Sequence, residues 1–305
     1  MAVRQQRTLR RTFRRKKHLY LYLVPTFLLL AIFNYYPPLS AFYHAFFDWD
    51  GYQQLTFVGL GNFGQMLHDA TLLGSVPHLL VLVLASLITG LTVPLLVAEL
   101  IFSLRNARLG YLYRLLFVVP IVVPQIVTIL LWQFIFDPNN GVLDAVLGVV
   151  EGRNPNIDWL GDPRIALYAL VLVGFPWVQG VNVLIYLAGL QSMPASVLDA
   201  AQLDGATGLR RLRYIDLPLL TGQVKILSIL AIIAGVQGFG LQFVLTQGGP
   251  GFATMVPGYL MYQDAFQNTH FGYGSAIGLV LFLVILAATY LNLRYVRSSV
   301  EYEAG

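Results

Sequence analysis

The chain has 305 residues, 57% of them hydrophobic and 11% charged, with a mean hydropathy of +0.67. About a quarter of the residues in a soluble domain are charged, so this composition excludes one and indicates an integral membrane protein. The lack of cysteine excludes disulfides, thiolate metal sites and cysteine nucleophiles, and the net charge of +4 sits in short basic clusters beside apolar segments, where topology accounts for it without nucleic acid.

Arg4, Arg7, Arg10, Arg11, Arg14, Arg15, Lys16 and Lys17 precede the first apolar stretch. A signal peptide has a short apolar core and a small-residue cleavage site, whereas residues 20–47 are long, aromatic and lack one. Residues 1–18 therefore read as a basic cytoplasmic tail. Six apolar segments follow, at about 19–46, 73–98, 111–136, 165–190, 222–246 and 274–296, each near or above the ~20 residues that a spanning helix requires. With the tail inside, only Arg153 and Arg164 of the 19 lysines and arginines fall on the outer side. That asymmetry places both termini, the short 298–305 tail and the loop 193–221 in the cytoplasm.

The outer connections are 48–72, rich in glycine and devoid of Lys and Arg, then 137–163, rich in turn formers, and 247–273, which opens on QGGPG. The last includes residues 256–266, where Tyr259, Tyr262 and Phe266 recur at helical spacing, an amphipathic stretch suited to the outer interface.

None of the 15 acidic residues falls at the centre of a predicted span, Glu99 sitting at an inner end, and the five histidines lie at segment ends or in loops. A proton-driven carrier needs a titratable group within the bilayer, so another energy source is expected. The histidines lack the i, i+4 pairing of a helical metal site and read as packing residues. The chain has no P-loop, because Lys16, Lys17 and Lys225 are not followed by Ser or Thr. Nucleotide chemistry must belong to another subunit.

Polar and aromatic groups on interior faces mark where a solute could pass. The fourth segment carries Trp177, Gln179, Asn182 and Tyr186, the last three at i, i+3 and i+7 on one helical face. The fifth carries Gly235, Gln237, Gly238, Phe239, Gly240 and Gln242, with Gly235, Phe239 and Gln242 on a common face. The same groups would also serve ordinary interhelical hydrogen bonding, worth on average ~0.6 kcal/mol.

The stretch 193–221, MPASVLDAAQLDGATGLRRLRYIDLPLLT, is polar and helix-prone between two apolar segments. Pro194 starts a helix, Gly205 breaks it, and Leu209 to Leu217 begins another that stops at Pro218. Ala200, Ala201 and Ala206 leave a surface small enough to enter a groove on a partner. The pattern Asp199-Ala200-Ala201, Asp204-Gly205-Ala206, Ile215, Leu217-Pro218 resembles the "EAA" loop of binding-protein-dependent ABC importer permeases, with Asp199 in place of the usual glutamate and Leu212 where an aromatic is common. Phe57 to Phe63 (FVGLGNF), Ala188 to Pro194 (AGLQSMP) and Leu245 to Pro250 (LTQGGP) resemble the sugar and glycerol-phosphate branch of that family.

The resemblance implies an all-α integral membrane fold with six transmembrane helices, N-in/C-in, a MetI-like ABC importer permease core over 19–297. It implies a prokaryotic inner-membrane location and a transport role, importing a sugar or related polyol by alternating access, and no enzymatic activity of its own. Asp199, Ala200, Ala201, Asp204, Gly205 and Ala206 would couple the chain to two ABC ATPase subunits that carry ATP and Mg. A second related permease, an extracytoplasmic solute-binding protein and membrane lipid are the other implied partners, with no cofactor on this chain. The fourth and fifth segments would line the pathway, with Trp177 at the family's aromatic position. An importer permease for an amino acid, peptide or ion is the alternative, and a membrane scaffold or enzyme a further one.

Overall fold

The computed structural model describes residues 20–152 and 155–295. The basic tail at 1–18, Arg153 and the 298–305 tail lie outside the described residues. The described chain is helical apart from one small hairpin, and it falls into two compact units, one containing residues up to Gln65 with Asp264–Leu279, the other Met66–Gln263 with Val280 onward.

In the first unit the opening apolar stretch forms helix α1 (Val24–Leu30), a π-turn (Ala31–Tyr35) and helix α2 (Tyr36–His44). Pro37 and Pro38 have no N–H to donate, and the widened turn before them absorbs the missing bonds. Strands β1 (Phe47–Trp49) and β2 (Leu55–Phe57) pair antiparallel, Asp48 opposite Thr56. Asp50 closes the hairpin, its Oδ1 accepting from the amides of Tyr52, Gln53 and Gln54 at 2.8, 3.0 and 3.0 Å. Those bonds hold its carboxyl below the usual range, the Tyr52 amide first among them. Helix α3 (Gly61–Met66) follows, and buried Asn62 donates to the carbonyls of Ala45 and Phe47, both at 2.9 Å. The FVGLGNF segment thus pins the hairpin to the end of α2.

The second unit is built on helix α4 (Ala70–Phe102), capped by Asp69, whose Oδ1 accepts from the amides of Thr71 and Leu72. Its 33 residues rise ~50 Å, longer than a bilayer core of ~30 Å. Helix α5 (Ala107–Val118) runs into a 3₁₀ turn (Val119–Val122), and α6 (Gln125–Ile135) leaves at 92° after Pro124. Helix α7 (Val142–Glu151) stands in the connection 137–163, where turns alone were expected. Buried Asp144 organises it, accepting from the Ile157 amide and Trp159 Nε1, each at 2.8 Å. At the end of the connection Asp162 accepts from Nε, Nη2 and the amide of Arg164, which pull its carboxyl down to about 2.

The fourth apolar segment is not one helix: α8 (Ala166–Leu172) and α9 (Gly180–Gln191) are separated by unwound residues 173–179. The loop 193–221 comprises α10 (Ala195–Leu203), α11 (Gly208–Arg211), a π-turn (Leu212–Asp216) and α12 (Leu217–Leu219). Pro218 was expected to end the second helix, but the π-turn before it accommodates its missing N–H and helical structure continues. Helix α13 (Thr221–Gln237) breaks at Gly238 before a π-turn (Gln242–Thr246). Helix α14 (Pro257–Tyr262) precedes α15 (Phe271–Tyr295), which matches the sixth apolar segment. The 256–266 stretch departs from an interfacial helix, because Tyr259 is buried and Tyr259 and Tyr262 pack on Phe239 at 6.2 and 5.7 Å between rings.

Helix α4 packs along α9 and α13. Their shared core unites Leu95, Ala98 and Ile101 with Val183, Tyr186, Leu187, Leu190, Leu220 and Leu227, and Leu198 and Leu212 of the loop pack against it. Leu212, at the position where an aromatic is expected, is half-buried against that core. By length and composition α4, the stretch Thr221–Thr246 and α15 could each cross a membrane. Five crossings result if the bent pairs Ala107–Val122 with Gln125–Ile135 and α9 with α10 count as one each.

Candidate functional site

A cavity of about 310 Å³ opens where the broken helices meet. Its walls are Leu82, Ala85, Ser86 and Thr89 of α4, Gln125 at the start of α6, Val173, Trp177 and Gln179 of the unwound stretch, and Gly235, Gly238 and Gln242 around the break after α13. The breaks place side chains there that an unbroken helix would hold elsewhere. Trp177 has φ +56°, a left-handed conformation uncommon for a bulky residue and of the kind that gathers at functional sites. Its indole is fixed by an Nε1 bond to the Val171 carbonyl at 2.9 Å and by the edge of Phe175 at 5.0 Å. The Gln179 amide lies against Gly90 of α4, where a Cβ would meet Nε2 at 3.4 Å. Gln242, 2% exposed overall, lines the cavity with Gln179 and Trp177.

Three of the seven predicted pathway residues, Trp177, Gln179 and Gln242, line this cavity. The other four do not. Asn182 is used between helices, its Nδ2 donating to the Gly90 carbonyl at 3.0 Å and to Gln179 Oε1 at 2.8 Å. Tyr186 is fully buried in the α4–α9–α13 core. Phe239 belongs to the aromatic cluster with Tyr259 and Tyr262, and Gln237 ends α13 outside the cavity lining. The face through Gly235, Phe239 and Gln242 failed because the helix breaks at Gly238, whereas Gln179 and Asn182 do meet, but Asn182 bonds the α4 backbone and Tyr186 fills the core. Ser86, Thr89 and Gln125 escaped prediction, and two prolines before Gln125, at 120 and 124, are the sequence trace of the bend that exposes it.

The loop ends α10 in a Schellman motif: the Gly205 amide donates to Gln202 O at 3.1 Å and the Ala206 amide to Ala201 O at 2.8 Å, with Gly205 at φ +67°. This geometry turns Ala201 and Ala206 inward, to 3% and 9% exposure, so neither contributes to the small-residue surface expected of them. Asp199, Ala200, Asp204 and Gly205 are exposed, and Asp199 makes no ion pair among the described residues. Beside them stand Leu203 and Leu209, 89% and 79% exposed.

Arg211 anchors the far side of the loop. Its Nε donates to Asp216 Oδ2 at 2.7 Å and its Nη2 to Glu99 Oε2 at 3.0 Å, while Cζ lies 5.5 Å from the Phe102 ring centre. Burial pulls the guanidinium pKa down, but the bond to Asp216 and the charges of Asp216 and Glu99 outweigh it and raise it above the ordinary value. Sequence reading noted Glu99 only as an acid at a helix end, and nothing local to it points to a partner 112 positions away.

A model of the family described as "Binding-protein-dependent transport system inner membrane component" matches residues 90–301. The sn-glycerol-3-phosphate transport system permease protein UgpA of Brucella abortus is 34% identical over 297 residues, covering 95% of this chain and 98% of that one. The multiple sugar-binding transport system permease protein MsmF of Streptococcus mutans is 28% identical over 278 residues, covering 90% and 93%. A bacterial ABC transporter involved in the import of the acidic polysaccharide alginate contains a chain of the same fold, with a TM-score of 0.80 at 20% identity over 95% of this chain and 100% of that one. The chain belongs to the family of binding-protein-dependent transport system inner membrane components.

Proposed function

We propose that this chain is the membrane permease subunit of an ATP-driven importer for a sugar or related polyol. The observation that carries the reading is the cavity at the helix breaks, lined by three amides, two hydroxyls and an indole and by no charged side chain. A polyol needs donors and acceptors for its hydroxyls and a flat apolar face for its C–H surface, and broken membrane helices are where transport sites form. Trp177 supplies the face, while Gln125, Gln179, Gln242, Ser86 and Thr89 supply the hydrogen bonds. Relatives named for glycerol phosphate and for multiple sugars support the substrate class.

The reading includes six crossings over 19–297 in the prokaryotic inner membrane, with 1–18, 193–221 and 298–305 in the cytoplasm. The loop docks on a separate ATPase subunit that carries ATP and Mg. Asp199, Ala200, Asp204 and Gly205 face that partner together with Leu203 and Leu209. A pair of ATPases presents two grooves and one chain presents one loop, so a second, related permease completes the assembly. A solute-binding protein delivers the substrate from outside. ATP-driven closure of the ATPases displaces the loop and shifts α9 and α13, which it joins, opening the cavity alternately to each side.

The test is uptake into vesicles holding the whole assembly. Trp177→Ala, Gln179→Ala and Gln242→Ala should each lower sugar uptake with assembly intact, and undiminished uptake in all three removes the cavity as the pathway.

A further inference from the structure

The cavity is walled by α4, α6, α8, α13 and the unwound stretch that leads into α9, but the loop is covalently continuous only with α9 before it and α13 after it. Helix α4, which carries Ser86 and Thr89, is joined to the loop by side chains alone. Part of that junction is apolar, Leu198 and Leu212 packing toward Leu95, Ala98 and Ile101. Apolar contact is non-directional and tolerates sliding. The other part is Arg211, and it has direction. Asp216 lies in the same loop and orients the guanidinium through Nε; Glu99 lies on the last turn of α4 and receives Nη2. Two bonds from one planar group fix both its position and its plane.

Stability does not account for this trio. Two buried carboxylates share one cation, and Glu99 Oε1 and Asp216 Oδ1 accept no hydrogen bond among the described residues. Buried ion pairs of this kind are often replaced by apolar side chains without loss of stability, and their best-attested use is to specify register. From Glu99, α4 runs ~15 Å along its axis to Thr89 at the cavity, passing Pro94, whose missing N–H leaves the Gly90 carbonyl to accept from Asn182 instead.

We propose that Arg211 is a positioning residue of the transport cycle, clamping the loop to Glu99 so that displacement of the loop moves the cavity wall carried by α4. The proposal rests on the loop being the element that docks on the ATPase.

The experiment uses the assembled importer in liposomes, with sugar uptake and ATP hydrolysis measured together. Arg211→Met should leave ATP hydrolysis in place while sugar moved per ATP falls about tenfold. Arg211→Lys, which keeps the charge and a single donor direction, should recover part of that loss. Glu99→Met, which has no acceptor for Nη2 at similar length, should lower the same ratio, and adding it to Arg211→Met should cost nothing further, because both remove one contact. If Arg211→Met keeps its sugar-to-ATP ratio while Gly205→Pro abolishes transport, the clamp is overturned and the docking reading stands. If Gly205→Pro also leaves the ratio unchanged, the docking reading falls and the clamp with it. If Arg211→Met does not assemble, Arg211→Met with Glu99→Gln and Asp216→Asn removes all three charges at similar volume, and its ratio decides in the same way.

Discussion

Asn182 Nδ2 stands 2.8 Å from Gln179 Oε1 and 3.0 Å from the carbonyl of Gly90, so one amide on α9 both ties that helix to α4 and orients the glutamine at the cavity. Asn182 itself does not line the cavity. Asn182→Ala should therefore raise the half-saturating sugar concentration by about fivefold, the cost of one lost hydrogen bond of ~1 kcal/mol. Gln179→Ala should raise it further. An unchanged half-saturation in Asn182→Ala would mean that the bond does not orient Gln179.

Gly205 is required for its backbone conformation and not for space. Its φ is +67°, and a Cβ built there meets no heavy atom within 4 Å. Gly205→Ala should cost about 1–2 kcal/mol from the left-handed conformation alone. Gly205→Asn should cost less, because asparagine tolerates that region. Gly205→Pro cannot reach it and also deletes the N–H that bonds Gln202 O. The order Gly, Asn, Ala, Pro should appear both in thermal stability and in transport-coupled ATP hydrolysis, and equal behaviour of Asn and Ala would refute the conformational explanation.

What could be read in the sequence was what the chain encodes locally. Composition gave the membrane class, the Asp199-to-Pro218 spacing gave the loop, and Gly205 marked the end of α10 because its signal lies within one turn. The cavity was half legible. Trp177, Gln179 and Gln242 stood out as polar or aromatic groups in apolar runs, but the face assigned to Phe239 presumed a continuous helix, and the spacing of Asn182 and Tyr186 did not say which neighbour they would meet. Gly174, Pro176 and Gly238 end that continuity, and breakers inside an apolar run do not say where the next turn will point. The inward turn of Ala201 and Ala206 depends on the Schellman geometry, and the Arg211–Glu99 contact on tertiary folding alone.

The docking surface should follow exposure. Leu203→Asp and Leu209→Asp place a charge where an apolar side chain stands almost fully exposed, so they should leave the permease stable and reduce co-purification of the ATPase. Ala201→Leu should act the other way, destabilising the chain itself by about 1–3 kcal/mol through overpacking at a site 3% exposed. Co-purification measured beside thermal stability separates the two. Stable Ala201→Leu with lost ATPase binding would return the alanines to the interface.

Glycines at helix contacts give a sharper test of the framework around the cavity. A Cβ at Gly180, the first residue of α9, would collide with the Phe117 carbonyl of α5 and lie 3.1 Å from Ile121 Cδ1. Backbone cannot yield as a side-chain tip does, so Gly180→Ala must push α5 and α9 apart. Gly222 in α13 has no heavy atom within 4 Å of the same construction. Gly222→Ala, in the first turn of α13, should therefore leave stability unchanged or raise it slightly. Gly180→Ala should lower it by about 1–3 kcal/mol. Because Gly180 follows Gln179 directly, the same displacement should also weaken sugar uptake, whereas Gly222→Ala should not. Thermal unfolding of the detergent-solubilised chain, compared with uptake by the assembled importer, reads both effects, and a Gly180→Ala variant as stable and as active as Gly222→Ala would show that α5 and α9 do not meet at Phe117.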